Sequence, residues 1–317
     1  MSKYIVKRLL LLIPTILLVL IIVFTLLNII PGSAVDTIYY RLVSTGSKIE
    51  RAEVEVMLGL DKSPVLRFFD WIWDALHGDF GTSLFQHESV VALLSRELPA
   101  SLELGLLTLI VSNLISIPLG LLCAAKQDSV LDYVIRAIAI IMMAVPMFWL
   151  ATLVLIYPAK WWHYAPTVTY YRFFDNPIEN LKMFIIPSIL GGLAQSGMQL
   201  RTVRTVVLDV LRQDYIRTAR AKGLPERRIM YRHAFRNSMI PVLTTIGAGV
   251  AGIIGGSVIL ENIFNIPGVG SELITALTYH DYPVIMGCVL IFSLFAMLVT
   301  LIIDIAYKWA DPRVNLD

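Results

Sequence analysis

Apolar residues in this chain gather into six long stretches, at 9–30, 100–124, 137–158, 183–203, 240–260 and 284–307. At about 1.5 Å of rise per residue, each reaches across a hydrocarbon layer of about 30 Å as a helix. The pattern therefore predicts an all-α polytopic membrane protein with six transmembrane helices. The stretches differ in quality. The first is nearly pure Leu, Ile and Val. The second carries Glu103, Asn113 and Pro118, and the third Pro146. The fourth is the weakest, with Pro187, Gln195, Ser196 and Gln199. Such a span either packs inside the bundle with its amides satisfied or lines a path. The fifth is rich in Gly and Ala (Gly247, Gly249, Ala251, Gly252, Gly255, Gly256), which lets helices approach closely in lipid.

Composition agrees. Of 317 residues, 57% are hydrophobic and only 16% charged, and the mean hydropathy is +0.72. Soluble domains carry about a quarter charged residues. The first stretch could be mistaken for a signal peptide, since Lys3, Lys7 and Arg8 precede it and Gly32-Ser33-Ala34 would serve as a cleavage site. Its 22 residues from Leu9 to Ile30 exceed the apolar core of about 7–15 residues that such peptides have, so an uncleaved first span is expected. Cys123 and Cys288 lie in different apolar stretches and read as small apolar side chains.

Charge sets the orientation. Between Arg201 and Arg236 stand ten basic residues against three acids, Asp209, Asp214 and Glu226, a balance of +7. That loop is expected in the cytosol, and six spans then put both termini there too. The short turn 125–136, with Lys126 and Arg136, falls on the same side. The expected organisation is a cytosolic tip and first span over 1–30, an extracytoplasmic region over 31–99 with some helix of its own, and a five-helix core over 100–317 that contains a cytosolic loop at 204–238. In the outer region, the amphipathic stretch Val65–Leu76 reads as part of a helical cap, or as an interfacial segment anchored by Trp71 and Trp73.

The basic loop has internal order. Asp214 can cap a helix Tyr215–Lys222, Gly223 permits a left-handed C-terminal cap, and Pro225 suits the first turn of a second helix. The result is a short, stiff helix–turn–helix. Ala219 and Ala221 keep the first arm slim, and Arg217, Arg220, Lys222, Arg227 and Arg228 are free to meet acidic groups. The simpler alternative is a positive loop touching anionic lipid heads; the ordered cap, small residues, Gly and Pro favour a docking element. A second segment, Glu261 to Gly270, combines the helix breakers Pro267, Gly268 and Gly270 with Phe264 and Ile266. It reads as an ordinary loop or as a turn dipping into the outer mouth. Asp304 and Glu103 each lie near the end of a span, where snorkelling or local pairing is expected.

Asp214-Tyr215-Ile216-Arg217-Thr218-Ala219-Arg220-Ala221-Lys222-Gly223-Leu224, followed by His233-Ala234-Phe235-Arg236-Asn237-Ser238-Met239-Ile240-Pro241, resembles the EAA loop of inner-membrane permeases of ABC importers, in the form found in the dipeptide, oligopeptide and nickel subfamily. Other stretches agree in order along nearly the whole chain: Ile30-Pro31-Gly32, Leu58-Gly59-Leu60-Asp61, Gly78-Asp79-Phe80-Gly81-Thr82-Ser83, Leu98-Pro99-Ala100-Ser101-Leu102-Glu103-Leu104, Glu261 to Gly270, Asp281-Tyr282-Pro283-Val284 and Asp311-Pro312-Arg313. Counting back from Gly223, the positions of the wider Glu-Ala-Ala pattern hold Arg217, Thr218 and Ala219, so its glutamate is missing, as is common in the peptide subfamily.

The resemblance implies a type I ABC importer permease fold in a prokaryotic inner membrane. It implies a homologous second permease, two cytosolic ATPases that bind ATP and Mg, and an extracytoplasmic binding protein that delivers dipeptides or oligopeptides. Nickel, metal chelates, glutathione and sugars are alternative cargoes. Asp214, Arg217, Thr218, Ala219, Arg220, Ala221, Gly223, Leu224 and Arg227 would then couple to an ATPase. Glu261, Phe264, Pro267, Gly268 and Gly270 would face the pathway or the binding protein. No cofactor, metal, catalytic residue or nucleic-acid partner is expected for the chain itself. It has no G-x-x-x-x-G-K-[ST] phosphate loop, no G-x-S-x-G elbow and no zinc-protease motif after His87-Glu88. The five histidines show no metal-ligand spacing. An ion-coupled secondary transporter would carry ionisable groups at mid-membrane and often inverted repeats, and neither is evident. An intramembrane enzyme would need catalytic groups converging at one depth, and none do.

Overall fold

In a computed structural model of the chain, residues 2–29, 34–44, 50–57, 61–163 and 169–310 are described. The stretches Ile30-Pro31-Gly32, Leu58-Gly59-Leu60 and Asp311-Pro312-Arg313 lie outside them, as do the side chains of Lys3, Lys7, Arg8, Asp304 and residues 251–256. The described helices are α1 (Ser2–Ile29), α2 (Ala34–Ser44), α3 (Arg51–Met57), α4 (Pro64–Leu76), α5 (Val90–Ala125), α6 (Val130–Ala144), α7 (Met147–Trp162), α8 (Pro177–Leu211), α9 (Asp214–Ala221), α10 (Glu226–Arg228), which runs into a π-helix (Ile229–Phe235), α11 (Met239–Phe264), α12 (Val269–Tyr279) and α13 (Tyr282–Ala310).

The described residues of the expected stretches are helical except at Val145 and Pro146. The parts of α1, α5, α8 and α13 from Leu10 to Ile29, Val90 to Ala125, Pro177 to Leu211 and Tyr282 to Ile303 are each long and apolar enough to cross a membrane. The third stretch differs from expectation. It is two helices, α6 and α7, meeting at 92°. Pro146 causes the break: its ring excludes the residue before it from the helical region, and Val145 is extended (φ −77°, ψ 123°). The fifth stretch lies within α11, whose described apolar part is Met239–Val250.

The chain divides into two compact units, Met1–Ser101 with Pro267–Met297, and Leu102–Ile266 with Leu298–Asp317. In the first unit, Val90, Leu93 and Leu94 of α5 pack with Val269 of α12 and with Val284, Ile285 and Cys288 of α13. A second cluster joins Leu20 of α1, Phe68 of α4 and Met286. In the second unit α8 is the central post. Of its most apolar stretch, 61% is buried inside the chain, against 6% for α1. Among α1, α5, α8 and α13, the weakest by hydropathy is thus the most enclosed. The Gln199 amide is satisfied by neighbours: Ser112 Oγ donates to Gln199 Oε1 (3.0 Å), and Gln199 Nε2 donates to Asn113 Oδ1 (2.8 Å); the buried Gln195 Oε1 has no hydrogen-bond partner among the described residues. Buried polar groups paired in this way fix the rotation of α8 against α5. Glu103 is paired locally, accepting from Asn180 Nδ2 (3.1 Å). Both cysteines are buried free thiols.

Candidate functional site

The basic loop folds as a clamped elbow in the second unit. α9 begins at Asp214, after the extended Gln213 (φ −72°, ψ 150°). Asp214 therefore sits in the first turn and not at the cap, where Gln213 stands without a side-chain bond. Its charge still favours the positive end of the helix dipole. At the other end Gly223 has φ +77°. Its N–H donates to Arg220 O (2.9 Å), and the N–H of Leu224 donates to Ala219 O (3.3 Å). This is a Schellman closure, and Leu224 makes the apolar contact that accompanies it, packing with Ile216, Ala219 and Ile229. Pro225 precedes α10 and does not lie within its first turn. From Ile229 the helix widens to a π-helix, a rare form that local sequence preferences do not announce.

The faces of α9 are set by this packing. Ile216 and Ala219 point into the chain's own cluster, with Ala219 only 8% exposed. Asp214, Arg217, Thr218 and Ala221 point outward. Ala219, expected to enter a partner's groove, instead seats the elbow on its second arm. Arg220 is not free either: Nε and Nη2 donate to Glu226 Oε1 (2.7 Å) and Oε2 (3.3 Å), bracing one arm against the other. The Glu226 carboxylate raises the Arg220 guanidinium above its ordinary pKa. Leu224 and Gly223 shape the turn, and Arg227 is exposed beside it.

The second arm seats the elbow on the helix ends. Ala234 and Val242 are buried with Leu121 and Ala124 of α5 and Val203, Val207 and Leu208 of α8. A groove of about 740 Å³ is lined by Leu121, Leu122 and Leu211 together with Arg212, Arg220 and Arg227. About two turns before α8 ends, Arg204 grips Asp132 at the start of α6, Nε to Oδ1 at 2.8 Å and Nη2 to Oδ2 at 2.7 Å. Asp132 is fully buried, accepts from the N–H of Asp128 (3.1 Å) and forms an ion pair with Arg136, whose Nε lies 3.3 Å from Oδ1 without a hydrogen bond. Sequence reading passed over this pair. A signal existed: Ser129, three residues before Asp132, marks a helix start, and Ser129 Oγ accepts from the N–H of Asp132 (3.3 Å).

The segment Glu261 to Gly270 is built differently from the elbow. α11 ends on Asn265 in the left-handed region (φ 53°), with the Ile266 N–H donating to Glu261 O (2.8 Å). Glu261 and Phe264 are buried, as are Gly268 and Gly270, and Pro267 is half-buried. The Glu261 and Phe264 side chains face the chain's own interior. In the first unit, the Val269 N–H donates to Ser101 Oγ (2.9 Å) at the start of α12. Asp281 receives Ser83 Oγ (2.6 Å) and the N–H of Phe85 (3.0 Å), so the stretches at 78–83 and 281–284 meet in space. Phe85 stacks on Tyr279 with centroids 3.8 Å apart.

Beside them Gln86 Nε2 donates to Glu272 Oε1 (2.8 Å). Burial pushes the Glu272 carboxyl above its ordinary range, and the nearby Asp281 and Glu88 add to it, against the Gln86 amide and Arg96. A carboxyl whose folded pKa is raised binds its proton more tightly when folded. Its stabilising contribution is therefore complete below the unfolded pKa of about 4.3 and is lost as pH rises through the folded value. Glu272→Gln keeps the acceptor for Gln86 and removes the titration. It is expected to melt higher than the parent protein at pH 7.5 and to flatten the parent's loss of melting temperature between pH 4.5 and 7.5. An unchanged pH slope in the variant would refute this.

Residues 116–316 match the family described as binding-protein-dependent transport system inner membrane component. The chain belongs to this family. The permease is 35% identical over 318 residues to a protein of Brucella suis biovar 1 named as a peptide transport system permease, with 100% of both chains covered. It is 33% identical over 339 residues to the dipeptide transport system permease protein DppB of Escherichia coli K12, with 99% of each covered. Among solved structures, a chain of the MetNI methionine ABC transporter in an inward-facing conformation matches with a TM-score of 0.55 and 15% identity, over 69% of this permease and 96% of that chain. That likeness shows a common fold. The permease is thus a multi-pass helical protein of the inner membrane and a component of an ABC importer.

Proposed function

We propose that this permease carries peptides inward as one of two homologous subunits around a translocation pathway, with the α9 elbow coupling it to a separate ATPase. The observation that carries the reading is the clamped elbow itself. A Schellman closure, a bidentate Arg220–Glu226 brace and a buried apolar seam make a rigid body from two short helices. They leave Asp214, Arg217, Thr218 and Ala221 outward on one face. Short isolated helices do not hold their shape in water, so such bracing suits a part that bears load. The names of relatives matching over the full length of the chain support peptides as cargo. ATP and Mg are held by the ATPase partners, and closure of the ATPases moves the elbow. The elbow then moves α5 and α8 through the apolar seat at Ala234 and Val242. The loop and both termini face the cytosol, in keeping with the +7 balance, and an extracytoplasmic binding protein delivers the cargo. The buried segment Glu261–Gly270 holds the outer turn in shape.

Two measurements test this. Reconstituted with its partner permease, ATPases and binding protein, the complex is expected to take up a labelled dipeptide only with ATP. Uptake of Ni²⁺ without peptide uptake would overturn the cargo, and uptake without ATP would overturn the machinery. Ala221→Trp places a large ring on the outward face without touching the elbow's core. It is expected to weaken ATPase docking by about 1–3 kcal/mol, about five- to 150-fold. Peptide uptake should fall accordingly while the variant's melting temperature stays that of the parent. Wild-type uptake by Ala221→Trp would remove α9 from the coupling role.

A further inference from the structure

Helix α4 has more apolar surface than the chain covers. At about 100° per residue, Val65, Leu66, Phe69, Trp73 and Leu76 fall within one arc of about 100°. Phe69, Trp73 and Leu76 are 62%, 65% and 77% exposed. The adjoining arc, with Phe68, Trp71 and Ile72, is packed on Leu20, Phe24 and Met286. Only the remaining arc is polar, with Arg67, Asp70 and Asp74, and there Asp70 pairs with Lys62 (2.8 Å). The helix is held in place firmly. The Phe68 and Phe24 rings lie 5.2 Å apart, Arg67 Nη2 donates to Asn28 Oδ1, and Ser63 caps the N-terminus.

We propose that α4 lies in the interfacial zone of the bilayer, with its uncovered stripe against phospholipid at the boundary between headgroups and acyl chains. The place of α4 along α1 points to this occupant. Phe24 stands five residues before the end of α1 at Ile29, about 8 Å along the axis. Leu10–Ile29 is long and apolar enough to cross the membrane, and its Ile22, Leu26 and Ile29 are themselves exposed. α4 therefore crosses α1 at the depth to which interfacial helices sink their apolar face, about 5–10 Å. Trp73 has the amphipathic ring favoured at that level. The polar arc carries Lys62 and Arg67 against Asp70 and Asp74, so burial of apolar surface holds the helix there and anionic headgroups are not required. The alternative occupant is a second protein subunit. The proposal rests on α1 being a membrane span and not on the cargo.

Single-cysteine variants at Phe69, Trp73, Leu76 and Asp74, made in the complete complex with Cys123 and Cys288 replaced by alanine, carry a nitroxide label. Accessibility to oxygen and to a polar paramagnetic reagent is read in nanodiscs of zwitterionic lipid. Labels at 69, 73 and 76 should show an oxygen-to-polar ratio several-fold above that at 74, as lipid-facing sites do. Equal, water-like ratios at all four sites overturn the proposal. So do labels at 69, 73 and 76 that are immobile and shielded from both reagents, since a protein subunit would then cover the stripe. Dipeptide uptake by the same labelled complexes reads the transport function separately.

Discussion

Asp132→Ala is expected to destabilise the permease by about 3–5 kcal/mol and to deplete it from the membrane. The carboxylate is fully buried and, among the described residues, it is the group that hydrogen-bonds the Arg204 guanidinium, whose side chain is 15% exposed. Two strong, charge-assisted bonds are lost together. What remains is a nearly enclosed cation without a counter-charge, and that residue of the change makes it costly. Arg136 suffers less, because its side chain is 32% exposed and stacks over the Tyr133 ring at 4.6 Å. The physical argument also predicts a rescue. Asp132→Leu combined with Arg204→Met removes both charges and keeps the volume filled. It should recover most of the lost stability, since apolar replacements of buried pairs are often neutral or better. Steady-state amounts in membranes and the melting temperature of the purified complex read both effects. If Asp132→Ala melts with the parent, the pair is ornamental. The pair also ties the start of α6 to α8 close above the elbow. A rescued double variant that assembles but takes up less peptide would locate a coupling role there beyond stability.

Gly192→Leu should be comparably damaging for a steric reason. A Cβ on Gly192 would stand 2.5 Å from Val111 Cγ1, 2.7 Å from Val111 Cβ and 3.0 Å from the Ser112 backbone nitrogen. The first two belong to a β-branched side chain with one favoured rotamer in a helix, and the third is backbone. None can swing aside, so α8 and α5 must part. Overpacking of this kind costs about 1–3 kcal/mol for small additions, and leucine adds three further carbons at the same contact. Separation would also break the Ser112–Gln199–Asn113 bonds and leave polar groups unpaired inside the bundle. Gly192→Ala should be milder. Adding Val111→Ala to it should recover part of the loss and no more, because the contact at Val111 Cβ remains. Gly223 makes the control. Nothing lies within 4 Å of a Cβ built there, so Gly223→Ala meets only the left-handed backbone cost of about 1–2 kcal/mol, confined to the elbow. Thermal melting that ranks Gly192→Leu no worse than Gly223→Ala would overturn the packing account.

Local chemistry made much of this molecule legible. The apolar stretches are helices because a backbone in lipid must satisfy its own hydrogen bonds. Gly223 was recognisable because only a residue without Cβ takes φ +77° cheaply. Pro146 was visible too, yet a span of full length was drawn through it. Its effect depends on whether neighbours restore the lost helical bond, and here the chain turns by 92° instead.

Short-range patterns along the chain specify which segments are helical and apolar, where the basic loop turns, and which family the chain resembles. Which face of each helix meets which neighbour belonged to the tertiary structure. It turned Ala219 inward and Ala221 outward, closed Arg220 onto Glu226, joined Asp132 to Arg204 across 72 positions and brought Ser83 to Asp281 across 198. Propensity and periodicity act over a few residues and are written locally. Contacts between residues far apart in the chain depend on how whole helices cross, and that is settled only when all of them pack at once.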